Sequence, residues 1–100
     1  MMKFNELNPE MLERASGLLK TIAHPARLAI VSLLENGNRL SVSEIHRSLG
    51  MEQSVASRHL VILKDRGILS SEREGRNIYY YLKISGLGDM LGCLAGCCSG

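Results

Sequence analysis

The chain is 100 residues long, 45% hydrophobic and 22% charged, with a formal net charge of +2. That length supports one domain with a single modest core, and the composition is globular rather than disordered. A pI near 8.6 falls short of the basic balance that marks a nucleic-acid binder outright, so any basic surface must be local. No secretory or transit signal opens the chain, because Lys3, Glu6, Glu10, Glu13 and Arg14 interrupt its apolar positions. No apolar run approaches the roughly 18 residues of a membrane span. The three cysteines, Cys93, Cys97 and Cys98, crowd the C-terminal end, and an odd, clustered count does not make a disulfide framework. The expectation is a cytoplasmic protein without membrane contact.

The first element starts at Asn8-Pro9-Glu10, where Asn is a favoured N-cap, Pro suits the first helical position and Glu complements the helix dipole. Met11, Ala15, Leu18 and Ile22, with Leu12 and Leu19 beside them, repeat at helical spacing and predict a helix over 9–22. So wide an apolar face in so small a chain predicts that Met11, Leu12 and Leu19 serve a subunit interface as well as the core. Pro25 starts a second helix over 25–36, with His24 as its cap rather than a ligand. Leu28, Val31 and Leu34, flanked by Ile30 and Leu33, make it the central core helix, and Asn36-Gly37 ends it.

Ser41-Val42-Ser43-Glu44 is a capping box, and Val42, Ile45 and Leu49 form the buried stripe of a short helix over 42–49 that Gly50 stops. A fourth helix follows at once, over 52–66. Projected at about 100° per residue, Val55, Ala56, His59, Leu60, Ile62 and Leu63 fall on one side. Gln53, Ser54, Ser57, Arg58, Val61, Lys64 and Asp65 fall on the other. Two helices joined by a tight glycine turn make a helix-turn-helix. A helix that buries one face and offers Gln, Ser and Arg on the other can enter a major groove and read base edges. An ordinary amphipathic surface helix would have the same periodicity, so the neighbours must decide.

They do so through a hairpin over 69–82. Ile68 to Arg73 reads as one strand, Glu74-Gly75 as the turn, and Arg76-Asn77-Ile78-Tyr79-Tyr80-Tyr81-Leu82 as a β-branched and aromatic second strand. Ile78, Tyr80 and Leu82 share one face, expected to be the core face. Directly after a helix-turn-helix such a hairpin is a wing, and Arg73 and Arg76 near its tip become candidates for backbone-phosphate or minor-groove contact. Ser85 caps a last helix over 86–97 in which Leu87, Met90, Leu91 and Leu94 share a face. Gly88, Gly92 and Gly96 lie within it, and each interior glycine costs about 0.8–1 kcal/mol relative to alanine. That helix needs packing to persist, with Leu87, Leu91 and Leu94 expected at the subunit interface.

The order LLKTIAHPARLAIVSLL, LSVSEI, LGMEQSVASRHLVILKDRGIL and REGRNIYYYL resembles the ArsR/SmtB family of bacterial winged-helix repressors over roughly Leu18 to Leu82. The resemblance implies a fold that is mainly α with a small β-hairpin, a winged helix-turn-helix filling residues 1–100 as one domain. It also implies a homodimer that binds an imperfect inverted repeat in double-stranded DNA and is released by an inducer. The QSxxSRHL segment reads the major groove in that family, which carries over to Gln53, Ser54, Ser57 and Arg58, with His59 matching but projecting towards the core. The wing positions carry over to Arg73 and Arg76.

The sensor departs from the family's patterns. Arsenic- and lead-responsive members place Cys-x-Cys at the start of the helix before the recognition helix, where this chain has Ser41-Val42-Ser43. Zinc-responsive members place Asp and His at the start of the last helix, where this chain has Ile84 and Gly86. Persulfide-sensing members need a first cysteine where serine again stands. What remains is Cys93, Cys97 and Cys98. Cys93 and Cys97 are one helical turn apart, with Cβ atoms roughly 5–6 Å from each other, and soft thiolates select soft ions. Three thiols suit a trigonal thiophilic ion such as arsenite better than zinc, which prefers four ligands in a closed structural site. The same cysteines could instead sense oxidation or reactive sulfur, or simply pack as small apolar residues. A winged helix used as a protein-interaction module is the remaining alternative. No cofactor is required, and no ordering of nucleophile, base and acid points to an enzyme.

Overall fold

The computed structural model describes residues 8–84. Its elements are α1 (Pro9–Ile22), α2 (Pro25–Leu33), β1 (Leu40–Ser41), α3 (Val42–Leu49), α4 (Gln53–Asp65), β2 (Leu69–Glu74) and β3 (Asn77–Leu82), with a 3-10 turn at Glu35–Gly37 after α2. The expected last helix, with Leu87, Leu91, Leu94 and the three cysteines, lies outside the described residues.

The helix starts follow from local chemistry. The Met11 amide donates to Asn8 Oδ1 at 2.8 Å, and the Ala26 amide donates to His24 Nδ1 at 3.1 Å, so His24 does cap α2. The capping box closes in both directions: the Glu44 amide donates to Ser41 Oγ (3.2 Å) and the Ser41 amide to Glu44 Oε1 (3.0 Å). α3 ends at Gly50, whose φ of 64° is left-handed. There the Met51 amide donates to the His46 carbonyl and the Gly50 amide to the Arg47 carbonyl, the paired bonds of a Schellman stop. This turn sets the direction in which α4 leaves α3.

The core is built where the helices meet the foot of the sheet. Ile30, Val31, Leu34, Ile45, Leu60, Leu63 and Ile68 have no exposed surface, and Ile22, Leu69 and Tyr80 complete the cluster. α2 is the central core helix as expected, but its buried stripe is Ile30 and Val31, continued by Leu34 just past its end, with Leu28 left 37% exposed. α2 also ends earlier than the expected 36. The chain tightens into the 3-10 turn after Leu34, where the Asn38 side chain donates to the Leu33 carbonyl at 3.1 Å.

The sheet has three strands in the order β1-β3-β2, all antiparallel. β1 pairs Leu40 with Tyr80 and Ser41 with Tyr79, and thereby fixes the start of α3 to the hairpin. Two residues carry no period, so nothing in the sequence marks this strand. In the hairpin Glu74 pairs with Asn77, so the turn residues are Gly75 and Arg76 rather than Glu74 and Gly75. Gly75 has φ of 63°, which the tight two-residue turns joining antiparallel strands require at their first central position. Tyr80 is buried and Leu82 half-buried, but Ile78 is 38% exposed, contrary to its expected place on the core. The ladder outruns the core, so the same face is dry at Tyr80 and open at Ile78.

Replacing Ser41 by alanine removes the acceptor of the Glu44 amide and should lower stability by about 0.5–2 kcal/mol. Urea denaturation followed by circular dichroism reads this as a lower midpoint at unchanged slope.

Candidate nucleic-acid interface

The outward face of α4 is set by what the helix buries. Ala56, Leu60 and Leu63 are fully enclosed, which turns Gln53, Ser54 and Arg58 into solvent and leaves Ser57 half-buried at the margin. Val61, expected on the outer face, is 52% exposed there. His59 is 9% exposed and belongs to the inner face. That position is at odds with a base contact and follows the helical projection rather than the family motif.

The wing meets the start of this helix. Gln53, Arg76, Asn77 and Ile78 line one shallow cleft of about 210 Å³, whose third wall is Ser41 and Ser43 at the head of α3. Arg73 pairs with Ile78 across the ladder and so shares its face of the hairpin. Arg58, Arg73 and Arg76 are exposed and have no carboxylate partner among the described residues. Arg39 behaves differently. Its guanidinium bridges Glu72 at 2.8 Å and Glu74 at 3.3 Å, and lies 5.7 Å from the centre of the Tyr79 ring. It thus clamps the face of the wing opposite Tyr80, reaching across β3 to β2. Exposed pairs of this kind contribute about 0–1 kcal/mol each; the single guanidinium charge ties down both carboxylates while offsetting one of them, and Arg73 and Arg76 carry no carboxylate partner among the described residues. Nothing in one sequence pairs Arg39 with residues more than thirty positions on.

Behind α4 lies a polar cluster that no local pattern in the sequence marks. Arg27 of α2 donates from Nε to His59 Nδ1 (3.3 Å) and from Nη1 to the Thr21 carbonyl at the end of α1 (3.0 Å). The His24 ring stands 4.7 Å from the His59 ring, centre to centre. Because Nδ1 accepts, the neutral His59 ring carries its proton on Nε2. Burial lowers the His59 pKa below the ordinary 6.5, and the neighbouring His24, Arg27 and Arg58 push it in the same direction.

The described residues hold no cluster of three His, Cys, Asp or Glu side chains placed to share a metal ion. Ser41 and Ser43 stand at the head of α3, and the Ser41 hydroxyl is engaged in the cap. Cys93, Cys97 and Cys98 lie outside the described residues. On α1, Met11 is 36% and Leu19 50% exposed, with Leu12 half-buried. Among the described residues no helix is long and apolar enough to cross a membrane.

A helix-turn-helix followed by a hairpin wing, with a polar outer helix face beside an arginine-bearing tip, defines a winged-helix DNA-binding module. The family model described as bacterial regulatory protein, arsR family, matches residues 24–71. The HTH-type transcriptional regulator YgaV of Escherichia coli K12 is 37% identical over 71 residues, 71% of this chain and 72% of that protein. The transcriptional repressor PagR of Bacillus anthracis is 39% identical over 83 residues, 80% of this chain and 83% of that protein. Among solved structures, the AntR antimony-specific transcriptional repressor superposes with a TM-score of 0.80 at 27% identity, covering 92% of this chain and 86% of that one. The chain belongs to the ArsR/SmtB family of winged-helix, DNA-binding transcriptional repressors.

The lowered His59 pKa has a consequence for stability. In the unfolded chain the ring binds its proton near 6.5, and in the folded protein only at lower pH. Stability is therefore full above 6.5 and falls as pH drops through 6.5 towards the folded value. The urea midpoint should be lower at about pH 5.5 than at about pH 7.5, and His59→Asn should shrink the difference.

Proposed function

We propose that the protein is a homodimeric cytoplasmic repressor whose two α4 helices read successive major grooves of an imperfect inverted repeat. Gln53, Ser54, Ser57 and Arg58 take the base edges and adjoining phosphates, while Arg73 and Arg76 take the backbone or minor groove beside them. The observation that carries this reading is the shared cleft of Gln53 and Arg76, which puts the head of the recognition helix and the tip of the wing against one surface. His59 leaves the contact set on account of its burial. The exposed apolar side chains of Met11 and Leu19, with Leu12, supply the described half of the subunit interface. Leu87, Leu91 and Leu94 supply the rest.

Release follows binding of a thiophilic metalloid, arsenite-like, at Cys93, Cys97 and Cys98. Two facts support this choice over zinc. The thiols come without histidine or carboxylate in the cluster itself, and a structural relative is an antimony-specific repressor. The operator half-sites of such dimers lie about one helical turn apart. A small change in dimer geometry therefore lifts one α4 from its groove, and couplings of this kind amount to about 1–3 kcal/mol. A response to peroxide or polysulfide without metalloid binding would assign the cysteines to redox sensing instead.

Fluorescence anisotropy on duplexes from the promoter of its own operon tests both halves. Gln53→Ala should cost about 1–3 kcal/mol on the cognate duplex and relax discrimination at one base pair. Arg76→Ala should weaken all duplexes alike and reduce the slope of log affinity against log salt by about 1. Binding that is insensitive to salt would assign the module to protein contact. Arsenite should weaken the operator complex about 5–150-fold, and a Cys93→Ser/Cys97→Ser/Cys98→Ser variant should not respond. An equal response in that variant would remove the cysteines from sensing. Sedimentation equilibrium reads the dimer, which Leu19→Glu should dissociate.

A further inference from the structure

The contact between Arg27, Thr21 and His59 joins the two parts of the molecule that the proposed mechanism must couple. α1 carries the proposed subunit interface, and α4 carries the proposed reading face. Arg27 touches both with one planar group: Nη1 holds the last turn of α1 through the Thr21 carbonyl, and Nε holds the inner face of α4 through His59. Among the described residues α1 otherwise meets this core through the apolar side chains of Ile22 and Leu18, and Arg27 adds the directional polar tie. His59 stands directly beside Arg58 in sequence, so a rotation of α4 that loosens the inner bond also swings the outer arginine.

We propose that Arg27 is a positioning residue for the recognition helix: its guanidinium fixes α4 against the end of α1, and tight operator binding requires His59 to be the neutral acceptor of that bond. The proposal rests on the reading of α4 as the DNA-contacting helix. A protonated His59 has no lone pair on Nδ1 and places a second positive charge against Arg27. The charged groups facing His59 are Arg27 from α2, His24 from the turn before α2 and Arg58 from its own helix. No carboxylate among the described residues offsets them, and α1 contributes only the Thr21 carbonyl, which Arg27 already occupies. Protonation therefore breaks the tie rather than strengthening it, and the orientation of α4 becomes sensitive to mild acid.

The test is operator binding by anisotropy on the full-length protein at about pH 7.5 and about pH 5.5, with circular dichroism on the same samples so that only folded protein is compared. Wild type should bind measurably more weakly at the lower pH, by less than the roughly tenfold that an imidazole at the ordinary 6.5 would give, because the His59 pKa is lowered. Arg27→Met should show a similar loss already at the higher pH, with the salt slope unchanged because no phosphate contact is removed. Arg27→Lys, which can reach one acceptor but lacks the fork, should fall between. If Arg27→Met does not fold, His59→Asn decides: asparagine accepts from Arg27 but does not titrate, so its ratio of affinities at the two pH values should be near one. His24→Asn, which keeps a capping acceptor but removes one of the charges facing His59, should keep wild-type affinity at the higher pH and still lose affinity at the lower. Wild-type affinity in Arg27→Lys and Arg27→Met, a reduced salt slope in either, or a wild-type pH ratio in His59→Asn would overturn the proposal. Gln53→Ala separates the two levels. If it binds as wild type the reading of α4 fails; if it binds weakly while the Arg27 variants do not, only the positioning role fails.

Discussion

The burial of Ala56, Leu60 and Leu63 on one side of α4 is the constraint on which the rest depends. A helix repeats every 3.6 residues, so once Ala56 is buried and Leu60 and Leu63 are locked into the cluster with Ile30, Ile45 and Ile68, the directions of all the others follow. Gln53, Ser54 and Arg58 point outward because the core leaves them nowhere else to point. Truncating Leu60 to alanine would cost about 2–5 kcal/mol, and would loosen the reading face along with the core. The orientation of the outer face is the by-product of packing on the opposite side of the same helix.

The remaining elements set where that face sits. The left-handed Gly50 and the Schellman bonds around it fix the angle between α3 and α4. The capping box at Ser41 fixes the start of α3, and β1 ties that start to the hairpin through Leu40 and Tyr80. Arg39 then stiffens the outer face of the wing through Glu72, Glu74 and Tyr79. Together these contacts bring Arg76 to the cleft that Gln53 lines. Arg27 performs the corresponding task on the inner side, between α1 and α4.

What could be read from the sequence was whatever is local or periodic. The caps at Asn8, His24 and Ser41, the stop at Gly50 and the limits of α3 and the wing follow from side chains acting on their own neighbours. The inward position of His59 followed from the helical projection, and the family motif alone would have placed it on the DNA. Illegible features are those made by distant residues meeting. β1 has two residues and exists because β3 lies beside it. Ile78 alternates correctly with Tyr80 yet is exposed, because alternation gives the face of a strand and not how far the core extends beneath it. Leu28 fits the period of α2 but sits beyond its buried stripe. Arg27 and His59 are 32 positions apart, and no pattern in one chain links them.

The central claim is that the outer face of α4 and the tip of the wing form one DNA-binding surface. Amide chemical-shift mapping on the protein titrated with its promoter duplex tests it most directly, because it reports each residue separately. The largest shifts should fall on Gln53 to Arg58 and on Gly75 to Asn77, with the outer face of α1 around Met11 and Leu19 unmoved. Shifts concentrated on α1, with those two segments silent, would contradict it.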